Sequence, residues 1–275
     1  MSGVASLLLL PFLACLILTG IHAYLGLHVV ERGVIFVDLS LAQMAALGTT
    51  IAFLAGHDLH SQASYFYSLG FTILGAAIFS LSRFKKKRIP QEAFIGIAYA
   101  VCAAASILIV DRSPEGTEHI KYILVGNLLG VTSREVGKMA LLYSFIGVVH
   151  WIFRKPLLAV SLAPEHSEQQ GLSVRFWDFV FYGTFGFVVT SSVAIAGVLL
   201  VFSFLIVPSV TAMLFSEKVG ARLLIGWGMG AAVSLLGMVA SYYLDTPTGA
   251  TVVVVFGVGL VLALLVRQIP LFKEA

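Results

Sequence analysis

Long apolar stretches alternate with short polar ones along nearly the whole chain. A helix of about 20 mainly apolar residues crosses the hydrocarbon core of a bilayer. By this criterion the pattern predicts nine membrane spans, at residues 4–27, 34–56, 63–82, 92–110, 138–153, 176–192, 195–215, 223–244 and 250–267. The fifth span is short, and the uncharged stretch from Phe179 to Phe215 has room for one full helix and a broken one, so about eight to ten spans fit.

Composition agrees with a membrane protein. Hydrophobic residues make up 59% of the 275 residues and charged residues only 11%, with a mean hydropathy of +0.99. Soluble domains are about 25% charged, so a water-soluble enzyme is excluded. We therefore expect an all-α, polytopic helical membrane protein that forms a single transmembrane domain over residues 1–275. No basic face interleaved with aromatic residues indicates nucleic-acid binding.

The positions of Lys and Arg predict the orientation. With the N-terminus outside and the C-terminus in the cytoplasm, thirteen basic residues lie inside and four outside, as the positive-inside rule requires. The inner set is Arg32, Arg83, Lys85, Lys86, Lys87, Arg88, Arg154, Lys155, Arg175, Lys218, Arg222, Arg267 and Lys273. The outer set is Arg112, Lys121, Arg134 and Lys138, all in one segment. Within that segment, residues 122–130 are apolar but too short to span, so we expect a half-embedded or interfacial helix.

Motifs for covalent chemistry are absent from the sequence. It has no G-x-x-x-x-G-K-[ST] phosphate loop, no H-E-x-x-H and no G-x-S-x-G. We therefore do not expect this chain to hydrolyse ATP or to carry a cofactor of its own. Intramembrane charges are also nearly absent, unlike in carriers that use proton relays. Transport is the function that this pattern favours.

Two sets of polar residues are candidates for contact with a cation. Asp38 lies in the second span, about 9 Å deeper than Arg32 at 1.5 Å per residue; it either lines a translocation path or reaches back toward the interface to pair with Arg32. Gln43 is five positions further on and lies on another helix face, about 140° away. The outer loop carries His57, Asp58 and His60, which either capture a metal or serve only to solvate a turn.

Four strings, in order along the chain, resemble the permeases of zinc, manganese and iron ABC importers. They are LGLHVVERGVIF from Leu25 with Asp38-Leu-Ser-Leu-Ala-Gln43 and Gly48, EAFIGIAYA from Glu92, GVLLVFSFLIVP from Gly197 with Ala212, and DTPTGAT from Asp245. Each string alone is unspecific, and together they cover most of the chain.

This resemblance implies one half of a type II importer in the bacterial inner membrane. Its expected partners are a second copy of the permease, two cytoplasmic subunits that bind the ATP, and an extracytoplasmic protein that delivers the metal. In this family the loop after the apolar-Pro motif docks onto the ATPase. That role maps onto Pro208, Phe215, Ser216, Glu217, Lys218, Val219 and Gly220, and we expect a short interfacial helix there. The loop 164–172 resembles a second loop that braces the same partner.

One departure from the family pattern concerns the metal site. Many relatives carry Asp and, four residues later, His in the second span; aligned through Gly48, this sequence has Leu39 and Gln43 at those places, with Asp38 shifted by one. Gln43 offers a carbonyl oxygen, a weaker ligand for a transition metal. Two rival functions follow from the sequence: an ATP-independent secondary transporter or channel, and an integral-membrane enzyme or assembly scaffold.

Overall fold

The structure, a computed structural model, describes residues 2–58, 61–83, 89–111 and 124–268, and within these ranges every regular element is helical. The described ranges contain ten α-helices with both ends defined: α1 Ser2–Glu31, α2 Val37–Leu54, α3 Gln62–Leu81, α4 Gln91–Val110, α5 Ser133–Ile152, α6 Arg154–Leu162, α7 Pro164–Gln169, α8 Val174–Phe215, α9 Val219–Leu244 and α10 Thr248–Arg267. A 3₁₀ turn, Leu128–Gly130, precedes α5.

Seven of these helices are long and apolar enough to cross a membrane. An eighth candidate is the pair α5 and α6, which are bent by 77° relative to one another. The predicted all-α, multi-span fold is therefore confirmed. The two spans predicted at 176–192 and 195–215 lie within one 42-residue helix, α8, whose regular geometry is interrupted at Gly197 (φ 75°, ψ 162°).

The chain divides into two compact units built from interleaved segments. The first unit consists of residues 1–30, 125–144 and 195–275, and the second of residues 31–124 and 145–194. The single domain predicted over residues 1–275 stays a prediction.

In the second unit, α2 is the central helix and packs against both α3 and α4. The contact with α3 is close because small residues face each other: the hydroxyl of Ser68 donates to the carbonyl oxygen of Ala45 at 2.7 Å. Buried residues of α3 recur at helical spacing, at Ser64, Ser68, Thr72, Gly75, Ala76, Phe79 and Ser80. Such small and hydroxyl-bearing stripes let membrane helices approach closely.

The first part of α8 packs against α3 in the same unit. The hydroxyls of Thr72 and Thr190 form a hydrogen bond of 2.9 Å, and both side chains are buried. One turn earlier in α8, a Cβ on Gly186 would lie 2.8 Å from the Thr72 methyl group. The absent side chain at Gly186 thus permits the contact.

In the first unit, α1 packs against the second part of α8 and against α9. Gly26 lies against the carbonyl oxygen of Leu205, and Gly230 against the side chain of Thr19. The hydroxyl of Ser209 donates to the carbonyl oxygen of Ala23 at 3.2 Å. In the same unit α9 packs against α10, with Gly237 next to Val252.

The segment before α5 differs from the prediction. Residues 122 and 123 lie outside the described ranges, and residues 124 and 125 are helical. The helix ends before Gly126, and residues 128–130 form the 3₁₀ turn. Gly126, at φ 68°, turns the chain so that Asn127 N–H donates to the carbonyl oxygen of Ile195 at 3.0 Å. From Gly126 onward the segment pairs with the interruption of α8, because Gly126 and Gly197 permit a close backbone approach.

Candidate functional site

Asp38 lies in the first turn of α2, and its side chain is 0% exposed. Neither carboxylate oxygen has a hydrogen-bond partner among the residues that the structure describes. The interpretation in which Asp38 pairs with Arg32 is wrong, since Arg32 instead pairs with Asp178. A buried carboxylate without donors is costly, so this position suits a carboxylate that meets a cation.

Gln43 is also buried, on the same uninterrupted helix. Five residues of regular helix separate it from Asp38, so the two side chains point about 140° apart. Ser40, between them, has a buried hydroxyl without a partner in the described part of the chain. α2 thus carries buried oxygen-bearing side chains at Asp38, Ser40, Gln43 and Thr50, of which Ser40 and Gln43, three residues apart, share one helix face. Ligation of a metal by Asp38 and Gln43 stays a prediction.

The outer-loop candidates do not form a closed site. His57 and Asp58 are both exposed, and the His57 ring lies 6.0 Å from the ring of Tyr67. The Asp58 carbonyl oxygen accepts a hydrogen bond of 2.7 Å from the Ser64 hydroxyl, which fixes the start of α3. His60 lies outside the described residues. Among the described residues, no group of three or more His, Cys, Asp and Glu side chains is placed to hold a metal.

A buried ion triad that was not predicted from the sequence lies in the second unit. Asp178, in the first part of α8, is 0% exposed and pairs with Arg32, just after α1, and with Arg83, just after α3. Nη1 of Arg83 donates to both carboxylate oxygens, at 2.9 and 2.7 Å. Arg32 also donates from Nε to the hydroxyl of Ser161 in α6 at 2.9 Å. The loop after α1, the end of α3, α6 and the start of α8 therefore lie on one side of the membrane.

The sequence contained a signal for this triad. Asp178 is an acidic residue inside a predicted span, where charges are rare and need partners. Arg32 and Arg83 both follow apolar runs that end on the same predicted side. The pairing itself joins residues 146 and 95 positions apart, and single-sequence spacing does not show such contacts.

The segment predicted to dock onto the ATPase forms a tight turn. Pro208 is buried inside α8, which continues to Phe215, and the chain then turns through Ser216, Glu217 and Lys218 before α9 begins at Val219. Arg222 Nε donates to the carbonyl oxygen of Ser216 at 2.7 Å and closes this turn. The expected interfacial helix is therefore wrong: the described chain has only three residues between α8 and α9. Glu217, Lys218 and Gly220 are exposed.

The short helices of the described chain are α6 and α7, which lie between α5 and α8 and not between α8 and α9. The residues that share one face of α6, Leu157, Val160 and Ser161, are buried. Glu165, His166 and Glu168 of α7 are exposed. The pair thus has one face held by the second unit and another open face, and it includes the first part of the loop 164–172 that resembles a bracing loop.

Known proteins resemble this chain along almost its full length. The profile of the ABC 3 transport family matches residues 5–267. This chain belongs to the ABC 3 transport family.

Relatives within the ABC 3 transport family include a "Probable iron transport system membrane protein" of Haemophilus influenzae, 27% identical over 94% of this chain and 92% of that protein. The "Manganese transport system membrane protein MntC" of Listeria innocua is 28% identical over 82% of each chain. Among solved structures, PsaBC from Streptococcus pneumoniae shares the fold, with a TM-score of 0.77, 21% identity, and coverage of 94% of this chain and 90% of that one.

Membership of the ABC 3 transport family confirms the resemblance predicted from the sequence. The chain is a membrane permease subunit of an ABC transporter, and the ATPase of such a transporter is a separate subunit. The family also implies a substrate-binding protein as a second partner.

Proposed function

We propose that this chain is the permease of a bacterial plasma-membrane importer that moves manganese or ferrous iron into the cytoplasm, powered by a separate ATPase subunit. The observation that carries the proposal is Asp38, a fully buried carboxylate without a hydrogen-bond partner among the described residues. A charge inside a membrane helix costs up to about 2.5–3.5 kcal/mol on insertion scales, the upper value applying at the helix centre and a smaller one near the end, where Asp38 lies. A passing divalent cation offsets that cost and gives the carboxylate at this position a function.

The choice of metal follows from the donor atoms. α2 presents oxygen donors, Asp38 and Gln43, and it contains no His or Cys. Carboxylate and carbonyl oxygens suit manganese better than they suit zinc, which prefers imidazole and thiolate. The names of two relatives, an iron and a manganese transport system membrane protein, agree with this preference.

We further propose nine crossings, with the N-terminus outside and the C-terminus in the cytoplasm. A 42-residue helix is about 63 Å long, twice the hydrocarbon thickness. Within the first unit, Gly249 lies next to the carbonyl oxygens of Val125 and Ala196, so Ala196 and Gly249 are on the same side. The chain must therefore cross the membrane an even number of times between these two residues. Two crossings lie between them: the part of α8 after Gly197, and the whole of α9. The first part of α8 is then a span of its own.

The partners follow from the family and the orientation. We propose a homodimer of permeases, cytoplasmic ATP-binding subunits and an extracytoplasmic protein that delivers the metal. The turn Ser216–Lys218 with Val219 and Gly220, and the open face of α6 and α7, are the surfaces proposed to meet the ATPase. The turn joins α8 to α9, and α6 and α7 lie between α5 and α8. In the proposed orientation both connections are on the cytoplasmic side.

Metal uptake into proteoliposomes tests this function. The full chain is reconstituted with its ATPase subunit, and the extracytoplasmic delivery protein is added on the opposite side of the membrane. Manganese, ferrous iron or zinc is supplied with the delivery protein, with and without ATP on the side of the ATPase subunit. We expect ATP-dependent uptake of manganese or iron, and a loss of at least about tenfold in Asp38→Asn, as a missing charged interaction of about 1.4 kcal/mol or more predicts. Asp58→Asn, an exposed outer carboxylate, is the matched control and should transport normally. Uptake by the chain alone, without ATP, would show a secondary transporter or channel instead.

A further inference from the structure

Arg32 contacts three partners with three different parts of one side chain. Its Nε donates to the Ser161 hydroxyl of α6, and its Nη1 donates to the Asp178 carboxylate of α8. The guanidinium carbon lies 4.1 Å from the centre of the Phe181 ring, one turn further along α8. The side chain is 1% exposed. Arg32 therefore joins α6 to the start of α8 through a single rigid group.

The geometry of this contact requires arginine. The guanidinium is planar, presents donors along several edges and stacks on aromatic faces, whereas the lysine ammonium is a single point charge on a flexible stem. A lysine at position 32 would keep the charge beside Asp178, but it would not reach Ser161 and lie flat on Phe181 at the same time. The bridge to α6 would then be lost while the ion pair persists.

Ser161 is the point at which α6 receives this contact. Its hydroxyl also donates to the carbonyl oxygen of Leu157 at 2.8 Å, within α6 itself, so its position is fixed by the helix. α6 is bent by 77° from the membrane helix α5 and continues into α7, whose acidic residues Glu165 and Glu168 are exposed. A displacement of α6 and α7 by a partner on their open face would therefore act directly on Ser161.

Asp178 fixes the other end of the bridge. It is held from a second direction by Arg83, whose Nη1 contacts both carboxylate oxygens. Asp178 lies near the start of the first part of α8 and pairs directly with Arg32. A movement of Arg32 would therefore displace a side chain of a membrane-spanning helix. The second unit thus contains a continuous polar connection from α6 to α8.

We propose that Arg32 is a positioning residue that couples movement of the cytoplasmic helices α6 and α7 to the membrane helix α8, through Ser161 on one side and Asp178 on the other. This inference rests on the proposed function, in which an ATPase subunit meets α6 and α7. It concerns the transfer of movement from the ATPase to the transport path and not the binding of the metal.

The ratio of ATP hydrolysed to metal imported tests the inference. Phosphate release and metal uptake are measured together on the full complex in proteoliposomes, with the ion that the wild type transports, for Arg32→Lys, for Ser161→Ala and for the control Arg175→Lys. Arg175 is an exposed arginine at the start of the same helix, α8. We expect Arg32→Lys and Ser161→Ala to keep hydrolysis and lose uptake, with a ratio raised by roughly tenfold for the loss of one charged hydrogen bond, and Arg175→Lys to keep the wild-type ratio.

The outcomes separate coupling from a merely structural role. A ratio that stays at the wild-type value in both test variants, including a case in which hydrolysis and uptake fall together, contradicts the inference. If the Arg32→Lys complex does not assemble, Ser161→Ala decides, because it removes one hydroxyl and leaves the ion triad in place. A wild-type complex that imports none of the three metals contradicts the proposed function, and the inference falls with it.

Discussion

Gly48 of α2 lies directly against the backbone of Ser68 in α3, since a Cβ at Gly48 would be 2.7 Å from the Ser68 Cα and 2.6 Å from the carbonyl oxygen of Tyr67. Both neighbouring atoms belong to the backbone of α3 and cannot rotate away. The hydrogen bonds of Ser68 to Ala45 and of Thr49 to Ser68 depend on the same close approach.

Gly48→Ala should therefore destabilise the protein. Overpacking of a tight interface typically costs about 1–3 kcal/mol. Replacing glycine by alanine in a helix gains at most about 1 kcal/mol in helix propensity, which is less than most of that range. Thermal unfolding in detergent measures the change. The control is Gly70→Ala in α3, where a Cβ has nothing within 4 Å, and it should be neutral or stabilising. Equal effects of the two substitutions would contradict the close contact.

Removal of the central carboxylate of the triad should be more harmful than removal of its outer cation. Asp178→Asn leaves the buried Arg32 without its anion, and the loss of one partner of a buried pair costs about 3–5 kcal/mol. Arg83 is 21% exposed, so in Arg83→Gln water replaces part of the lost contact and Asp178 retains Arg32. Thermal unfolding of the two variants should show a clearly larger decrease for Asp178→Asn, and the reverse order would exclude a buried triad.

The sequence predicted those features that depend on local composition. Each predicted span corresponds to a helix or, for the spans at 176–192 and 195–215, to part of α8, because about 20 apolar residues without charges have few other stable conformations in a bilayer. The polar connections could not be predicted in this way. Arg32, Ser161 and Asp178 belong to separate segments, and their contacts depend on how the helices pack. The expected interfacial helix after Pro208 failed for a related reason. Neighbouring groups in a packed membrane helix tolerate an internal proline, so α8 continues through Pro208 and the chain turns only at Ser216.

Gly197 should be among the positions least tolerant of a side chain. Its φ of 75° and ψ of 162° lie in a region that is essentially restricted to glycine, where other residues cost about 1–3 kcal/mol. The neighbouring backbone is also close, since a Cβ on Gly126 would lie 2.4 Å from the backbone nitrogen of Gly197. Gly197→Ala should lower the unfolding temperature measurably, whereas Gly220→Ala, in open space at the start of α9, should not. Tolerance of Ala at Gly197 would mean that α8 passes this point as a regular helix.

Cysteine labelling from each side of the membrane should establish the path of the chain after Gly197. If the second part of α8 and α9 are both crossings, Glu217 and Thr246, which are both exposed, lie on opposite sides. In a background with Cys15 and Cys102 replaced by Ala, a membrane-impermeant maleimide added to intact cells should label Thr246→Cys and should label Glu217→Cys only after the membrane is opened. Thr246 is the appropriate outer position because it follows α9 and precedes Pro247, at the start of α10. Labelling of both variants in intact cells would place the two turns on one side, and α9 would then not be a crossing.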